Sequence, residues 1–335
     1  LKIPMCISIW SMPEWLYSDK REGLHGRIIG ENLWPEMAEC IVSYLLYAKE
    51  KYGWEPSLFS FNEPDYGVNV KFEPVNYVKM VKYMGNILRK KNIKTKFLLG
   101  DTTTPKAFAS YVGPAIKDKE TMSYVAALGF HSWGGATPEE YAEIMSISEE
   151  HKLPLFVSET GFDASAYKAP WIFTSWYYAL SDLRIIHELF AYALPYSMIY
   201  WEFTSDYSLF ISNGRNKDQL LPTARYWFIK HYALMPLPAR YVSVQNTSDD
   251  LLVSAFEPID RHNNREEIII HIANFGTTRL MEIEGLPSTA THFRQIRTSR
   301  YETFRELNPI EKKGTKIICE VLEQSLTTLI GSENR

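Results

Sequence analysis

Six short, nearly continuous apolar runs punctuate the first two thirds of the chain, and stretches with helical spacing separate them. Met5–Trp10 (MCISIW), Leu58–Phe61 (LFSF), Lys96–Gly100 (KFLLG), Val125–Phe130 (VAALGF), Leu155–Ser158 (LFVS) and Tyr196–Trp201 (YSMIYW) read as strands buried on both faces, as parallel strands are. Asn32–Tyr52 places Met37, Ile41, Leu45 and Ala48 on one helical face and stops at Gly53. Phe72–Lys91 repeats the period with Val75, Val78, Val81, Ile87 and Leu88. Thr104-Pro105 and Thr137-Pro138 are helix entries, a capping side chain followed by proline at the first helical position. Ile172–Leu194 and Pro222–Tyr232 complete the alternation as helices.

Alternation of this kind predicts an α/β architecture, either a doubly wound sheet or a closed (β/α)8 TIM barrel. No GxGxxG or phosphate loop follows any of the strands, which weighs against a dinucleotide-binding sheet. Each strand instead ends in polar or aromatic residues: Trp10, Asn62 and Glu63, Asp101, His131 and Trp133, Glu159, Trp201 and Glu202. In a parallel barrel such ends converge on one face. The barrel reading therefore prevails, two strands short of eight. After Pro236-Leu237-Pro238 the period changes to short runs between turns: Leu251–Phe256, Glu267–Ala273, Leu280–Ile283, Thr291–Ile296, Lys316–Val321 and Leu326–Ile330. That spacing suits an antiparallel β-sandwich. The expected division is a barrel domain over residues 1–233 and a sandwich over 234–335.

Composition narrows the function classes. A net charge of −4 gives no reason to expect a nucleic-acid or acidic-membrane partner. No apolar run reaches membrane-spanning length. Cys6, Cys40 and Cys319 are too far apart to suggest a zinc site or a disulfide framework, and no metal or organic cofactor is expected. Aromatic residues make up 14% of the chain, a surplus that suits clefts stacking sugars on flat apolar faces.

Within this frame two glutamates stand out. Glu63 follows the Leu58–Phe61 strand directly and is fixed by Pro64, which forbids further strand pairing. Glu159 ends the strand three further along, so in an eight-stranded barrel the two would face each other across the mouth. Glycoside hydrolysis needs such a pair, one carboxylic acid for the leaving oxygen and one carboxylate on the opposite face of the sugar. Asn62 is a candidate for a sugar hydroxyl or a local turn amide, and His131 for an orienting group or a core histidine. Trp15 and Trp201 are candidates for the walls of a sugar site or for packing. Glu202 and Asp206 read as loop caps, and Asp65 and Asp163 as loop acids. No lysine at a strand end offers a Schiff base, which disfavours an aldolase.

The segments Ser11-Met12-Pro13-Glu14-Trp15-Leu16, Phe61-Asn62-Glu63-Pro64-Asp65-Tyr66, His131-Ser132-Trp133, Ser158-Glu159-Thr160 and Tyr200-Trp201, in that order, resemble the retaining clan A (β/α)8 glycosidases. Among these they are most similar to glycoside hydrolase family 30, which includes glucosylceramidases, β-1,6-glucanases, β-xylosidases and xylanases. The resemblance implies a retaining β-glycosidase with Glu63 as acid/base, on the clan's fourth strand, and Glu159 as nucleophile, on the seventh. It implies that Asn62, His131, Trp133, Trp201 and Trp15 contact substrate, and that Trp133 stands where the family often has tyrosine. Those roles ask for Glu63 protonated and Glu159 ionised near neutral pH. The substrate would be an oligosaccharide, polysaccharide or glycoconjugate, and the location secreted or periplasmic. Strands one and two would be missing from this chain, with the clan's second-strand arginine, and an N-terminal segment would supply them. The loop Phe203–Leu220 lacks the paired arginines of glucuronate-recognising xylanases. The alternatives are a carbohydrate-binding pseudo-enzyme on the same scaffold and a xylanase or xylosidase specificity for the same chemistry.

Overall fold

The computed structural model describes residues 5–17, 25–67, 70–163, 165, 168–203, 207–213, 216–260 and 266–333. It divides into two compact units: Leu1–Thr160 with Pro195–Tyr200, and Gly161–Leu194 with Trp201–Arg335.

The first unit is a six-stranded, all-parallel sheet with its strands in chain order. The strands are β1 (Cys6–Ile9), β2 (Leu58–Phe61), β3 (Lys96–Thr102), β4 (Val125–His131), β5 (Leu155–Thr160) and β6 (Ser197–Tyr200). All six correspond to the apolar runs, and β3, β4 and β5 run on to include Asp101, His131 and Glu159. Helices α1 (Trp34–Tyr52), α2 (Pro74–Lys90), α3 (Pro105–Ile116), α4 (Lys119–Met122) and α5 (Pro138–His151) fill the connections. Proline stands in the first turn of α1, α2, α3 and α5, where its missing N–H would be unsatisfied in any residue. At α5 the Thr137 side chain and Glu140 also close a reciprocal capping box. Alternation of strand and helix with this parallel order is that of a β/α barrel. Its interior is anchored by Phe59, Phe61 and Phe97, which pack edge to face and are fully buried.

The second unit carries an antiparallel sheet. Its helices are α6 (Trp176–Glu188), continued by a π-helical turn at Leu189–Ala193, and α7 (Ala224–Tyr232). A hairpin of β7 (Phe210–Asn213) and β8 (Asn216–Pro222) forms inside the segment read from sequence as a loop. The remaining strands are β9 (Ala239–Val242), β10 (Leu251–Pro258), β11 (Glu266–Asn274), β12 (Arg279–Ile283), β13 (His292–Ser299), β14 (Glu302–Glu311), β15 (Ile317–Val321) and β16 (Ser325–Ser332). Six of them pair in the order β14-β13-β16-β11-β10-β9, and β12 pairs with β15. Leu251, Ile270, Ile272, Phe293 and Leu329 of the larger sheet pack against Ile317, Cys319 and Val321 of the smaller one. The unit gathers α6 and α7 together with the strands beyond residue 234. The helices are clamped by Arg225, whose Nε lies 2.6 Å from Asp182 Oδ2 with both side chains buried.

Candidate active site

The C-terminal ends of β2, β3, β4 and β5 bring five of the seven sequence-predicted residues into one unit: Asn62, Glu63, His131, Trp133 and Glu159 are all buried there. The local backbone explains how. β2 is buried on both faces through Phe61, after which Asn62 N–H still bonds to Ile9 O at 3.1 Å. Glu63 then turns into the left-handed region, φ 47°, and Pro64 prevents the strand from resuming. Asp101 on β3 is left-handed as well, φ 53°, and its carbonyl accepts the Glu63 N–H at 3.0 Å. Two non-glycine residues in this region store on the order of 1–2 kcal/mol each, and they support one another through that bond. Gly100 precedes Asp101 with φ 98°, and a Cβ there would meet Gly129 O at 2.5 Å. The β3 terminus therefore needs glycine.

Glu63 and Glu159 are only 7% and 6% exposed. An oxygen of each carboxylate and Nδ1 of His131 all lie within 4.8 Å of one another. His131 Nδ1 is 3.2 Å from Glu63 Oε1 and 3.2 Å from Glu159 Oε2. Trp133 Nε1–H donates to Glu159 Oε2 at 3.1 Å. On its other side, His131 Nε2 faces Asp101 Oδ1 at 3.3 Å. Asp101 also accepts from Ser60 Oγ at 2.6 Å, from Ser8 Oγ at 3.3 Å and from Ser158 Oγ.

Charge follows from these contacts. Burial alone would strip His131 of its proton. The Glu159 charge and the hydrogen bonds to Asp101, Glu159 and Glu63 outweigh burial and hold the ring well above the ordinary histidine range. Burial likewise works against the Asp101 charge, yet the His131 hydrogen bond and charge, with Ser158 and Ser60, hold its carboxyl below the usual range. Asp65, just beyond the pair, is pushed up by burial against hydrogen bonds from Thr103, with the Glu63 charge adding to the rise. Glu63, His131 and Glu159 are close enough to share a cation. The same contacts set the two carboxylates on either side of one ring nitrogen, His131 Nδ1.

Trp15 sits on a 3-10 turn, Glu14–Leu16, and is 62% exposed. Trp201 belongs to the second unit, half-buried, and its peptide bond to Glu202 is cis. Asp163 accepts from Tyr207 Oη at 2.7 Å, while Asp206 lies outside the described residues. The Asn62 amide nitrogen is buried and has no hydrogen-bond partner among the described residues. Sequence reasoning noted Asp101 as a strand end without giving it a role, and passed over Ser8, Ser60 and Ser158. The available signal was a serine inside each of three strands read as buried, since a buried hydroxyl needs a partner.

A parallel β/α sheet whose strand ends present two buried, facing carboxylates defines the class to which this arrangement belongs. Comparison with solved structures gives particular examples. A glycoside hydrolase family 30 endoxylanase from Clostridium papyrosolvens C71 superposes with a TM-score of 0.78 at 16% identity, over 98% of this chain and 79% of that one. A family 30 subfamily 8 xylanase from Clostridium acetobutylicum gives 0.76 at 14% identity, over 98% and 80%. The catalytic domain of the family 30 xylanase C from Talaromyces cellulolyticus gives 0.70 at 14% identity, over 98% and 76%. At these identities the likeness is one of fold. No protein-family model matches the sequence, and no curated protein does.

Proposed function

We propose that this chain is a retaining β-glycoside hydrolase. The observation that carries the proposal is the approach of a Glu63 oxygen to a Glu159 oxygen within 4.8 Å. Retaining glycosidases hold their two carboxyls about 5–5.5 Å apart, whereas inverting enzymes leave room for a water at roughly 6.5–9.5 Å. In this reading Glu159 attacks the anomeric carbon while Glu63 gives its proton to the departing glycosidic oxygen, leaving a glycosyl ester on Glu159. Glu63, now a carboxylate, takes a proton from water, and the hydroxide so formed displaces Glu159 and releases the sugar with its configuration kept. Trp133 supports the role of Glu159, because an indole N–H only donates and so favours the charged oxygen it touches. The unpartnered amide of Asn62 supports a hydrogen bond to a substrate hydroxyl beside the acid.

The substrate class is a β-linked glycan or glycoconjugate handled outside the cytoplasm, and the three xylanase neighbours put xylan and xylosides first in the substrate panel. Residues 1–233 form the barrel part of this enzyme and 234–335 its β-sandwich. β1 and β6 stand at the two ends of the six-stranded order, which supports a reading with two further parallel strands along their outer edges.

Activated 2-deoxy-2-fluoro glycosides of xylose, glucose, galactose and fucose test the proposal. One of them should add a single glycosyl mass, mapped by peptide sequencing to Glu159. A label on another residue overturns the assignment, and sugar binding without turnover identifies a carbohydrate-binding protein instead.

A further inference from the structure

Asp101 is 2% exposed in the middle of the sheet, a poor place for a lone carboxylate. Among the described residues, each side chain hydrogen-bonded to its carboxylate is a donor: Ser8 from β1, Ser60 from β2, Ser158 from β5 and His131 Nε2 from β4. Four strands thus converge on this one acid. Beyond it, the fully buried His131 ring has a single Nδ1–H equidistant from two carboxylates. Among the described residues no lysine or arginine nitrogen lies within 4.0 Å of either Glu63 or Glu159. The titratable groups that face the ring are Glu63 after β2, Asp101 on β3 and Glu159 on β5. Cys6 on β1 and Tyr77 on α2 feel the Asp101 charge, and Asp65 feels that of Glu63. The ring therefore meets acids on both of its nitrogen sides.

We infer that Asp101 is a positioning residue for the Glu63–Glu159 pair, holding His131 doubly protonated through Nε2 so that one Nδ1–H stays aimed between the two carboxylates. The inference rests on the glycosidase reading for its catalytic consequence. No proton leaves His131 in either step. When Glu159 becomes an ester it is a weaker acceptor, and the same N–H passes to Glu63, which is then the charged partner. The ring is the cation that serves whichever carboxylate carries charge, and Asp101 with its three serines keeps it so.

The test is long-range 1H–15N correlation of histidine-labelled protein between pH 5 and 8, with His131 assigned by loss of its signals in His131→Gln. The expected wild-type ring shows two protonated nitrogens across that range. In Asp101→Asn, which keeps a side-chain hydrogen bond but not the charge, the ring should lose a proton within the range. On an aryl glycoside that the wild type turns over, kcat of this variant should fall about 100-fold with KM changed by less than about threefold. A merely structural role would instead lower the folded fraction and leave the ring's titration unchanged. A neutral His131 in the wild type at pH 7 overturns the inference even if Asp101→Asn does not fold. A doubly protonated ring that depends on Asp101, in a protein that hydrolyses no glycoside, leaves the positioning intact and removes the glycosidase reading. Turnover with a neutral ring does the reverse.

Discussion

His131 in the first unit and His187, His231 and His271 in the second are all buried, and they are held in opposite charge states. Around His131 stand three carboxylates, so desolvation is outweighed and the ring keeps its proton. Around His231 and His271 stand hydroxyls, and His187 has no hydrogen-bond partner among the described residues. His231 reaches Thr328 Oγ1 at 2.7 Å and Thr298 Oγ1 at 2.9 Å, and His271 Nδ1 reaches the same Thr328 oxygen at 2.9 Å. A hydroxyl between two imidazoles donates to one and accepts from the other, which requires the ring it donates to to be neutral. Burial then lowers all three, His271 to about 3. The difference shows that depth alone does not set the state of a buried histidine; its partners do.

The comparison can be broken most severely by acid. The second-unit histidines are neutral when folded and gain a proton near pH 6.5 when unfolded. Stability is therefore unaffected above 6.5 and falls as the pH drops below it, down to the folded values. Each should subtract about 2 kcal/mol by pH 5, about 6 kcal/mol for the three, read from urea midpoints at pH 7 and 5. The sign for His131 is reversed. Its contribution is complete below 6.5 and is lost as the pH rises through its raised folded value. Next in size is Asp101→Ala, which removes the carboxylate from one side of a buried cation and should destabilise the protein by about 3 kcal/mol in urea unfolding. Smaller is His187→Phe. Neither ring nitrogen of His187 has a hydrogen-bond partner among the described residues, so the change should raise stability by about 1 kcal/mol and shallow the acid loss by one proton. Smallest is Thr328→Val, which takes away the hydroxyl shared by two histidines and should cost about 1 kcal/mol or less by the same assay.

The sequence was most informative where local pattern and tertiary environment agree. Strands β2 to β5 are largely apolar because the sheet buries most of their residues, and proline after a capping side chain marked two of the unit's helix starts. The glutamates were legible because each follows such a strand directly. What escaped were elements whose environment hides the pattern. β14 runs at the sheet edge with mostly exposed side chains and contains Pro309, which an edge strand tolerates, so ETFRELNPIE shows no core-facing alternation. The β7–β8 hairpin reads NKDQ through its second strand and offered no apolar run. The serine cradle of Asp101 escaped for another reason. It depends on the register of strands 41, 57 and 93 residues apart, which no local window contains.

The catalytic half of the comparison stands or falls on what the Glu63–Glu159 pair does to an anomeric centre. The direct measurement is 1H NMR of an aryl β-glycoside as it is hydrolysed, watching which anomer of the free sugar appears before mutarotation. A pair this close predicts the β-anomer first. The α-anomer first would contradict double displacement at Glu159.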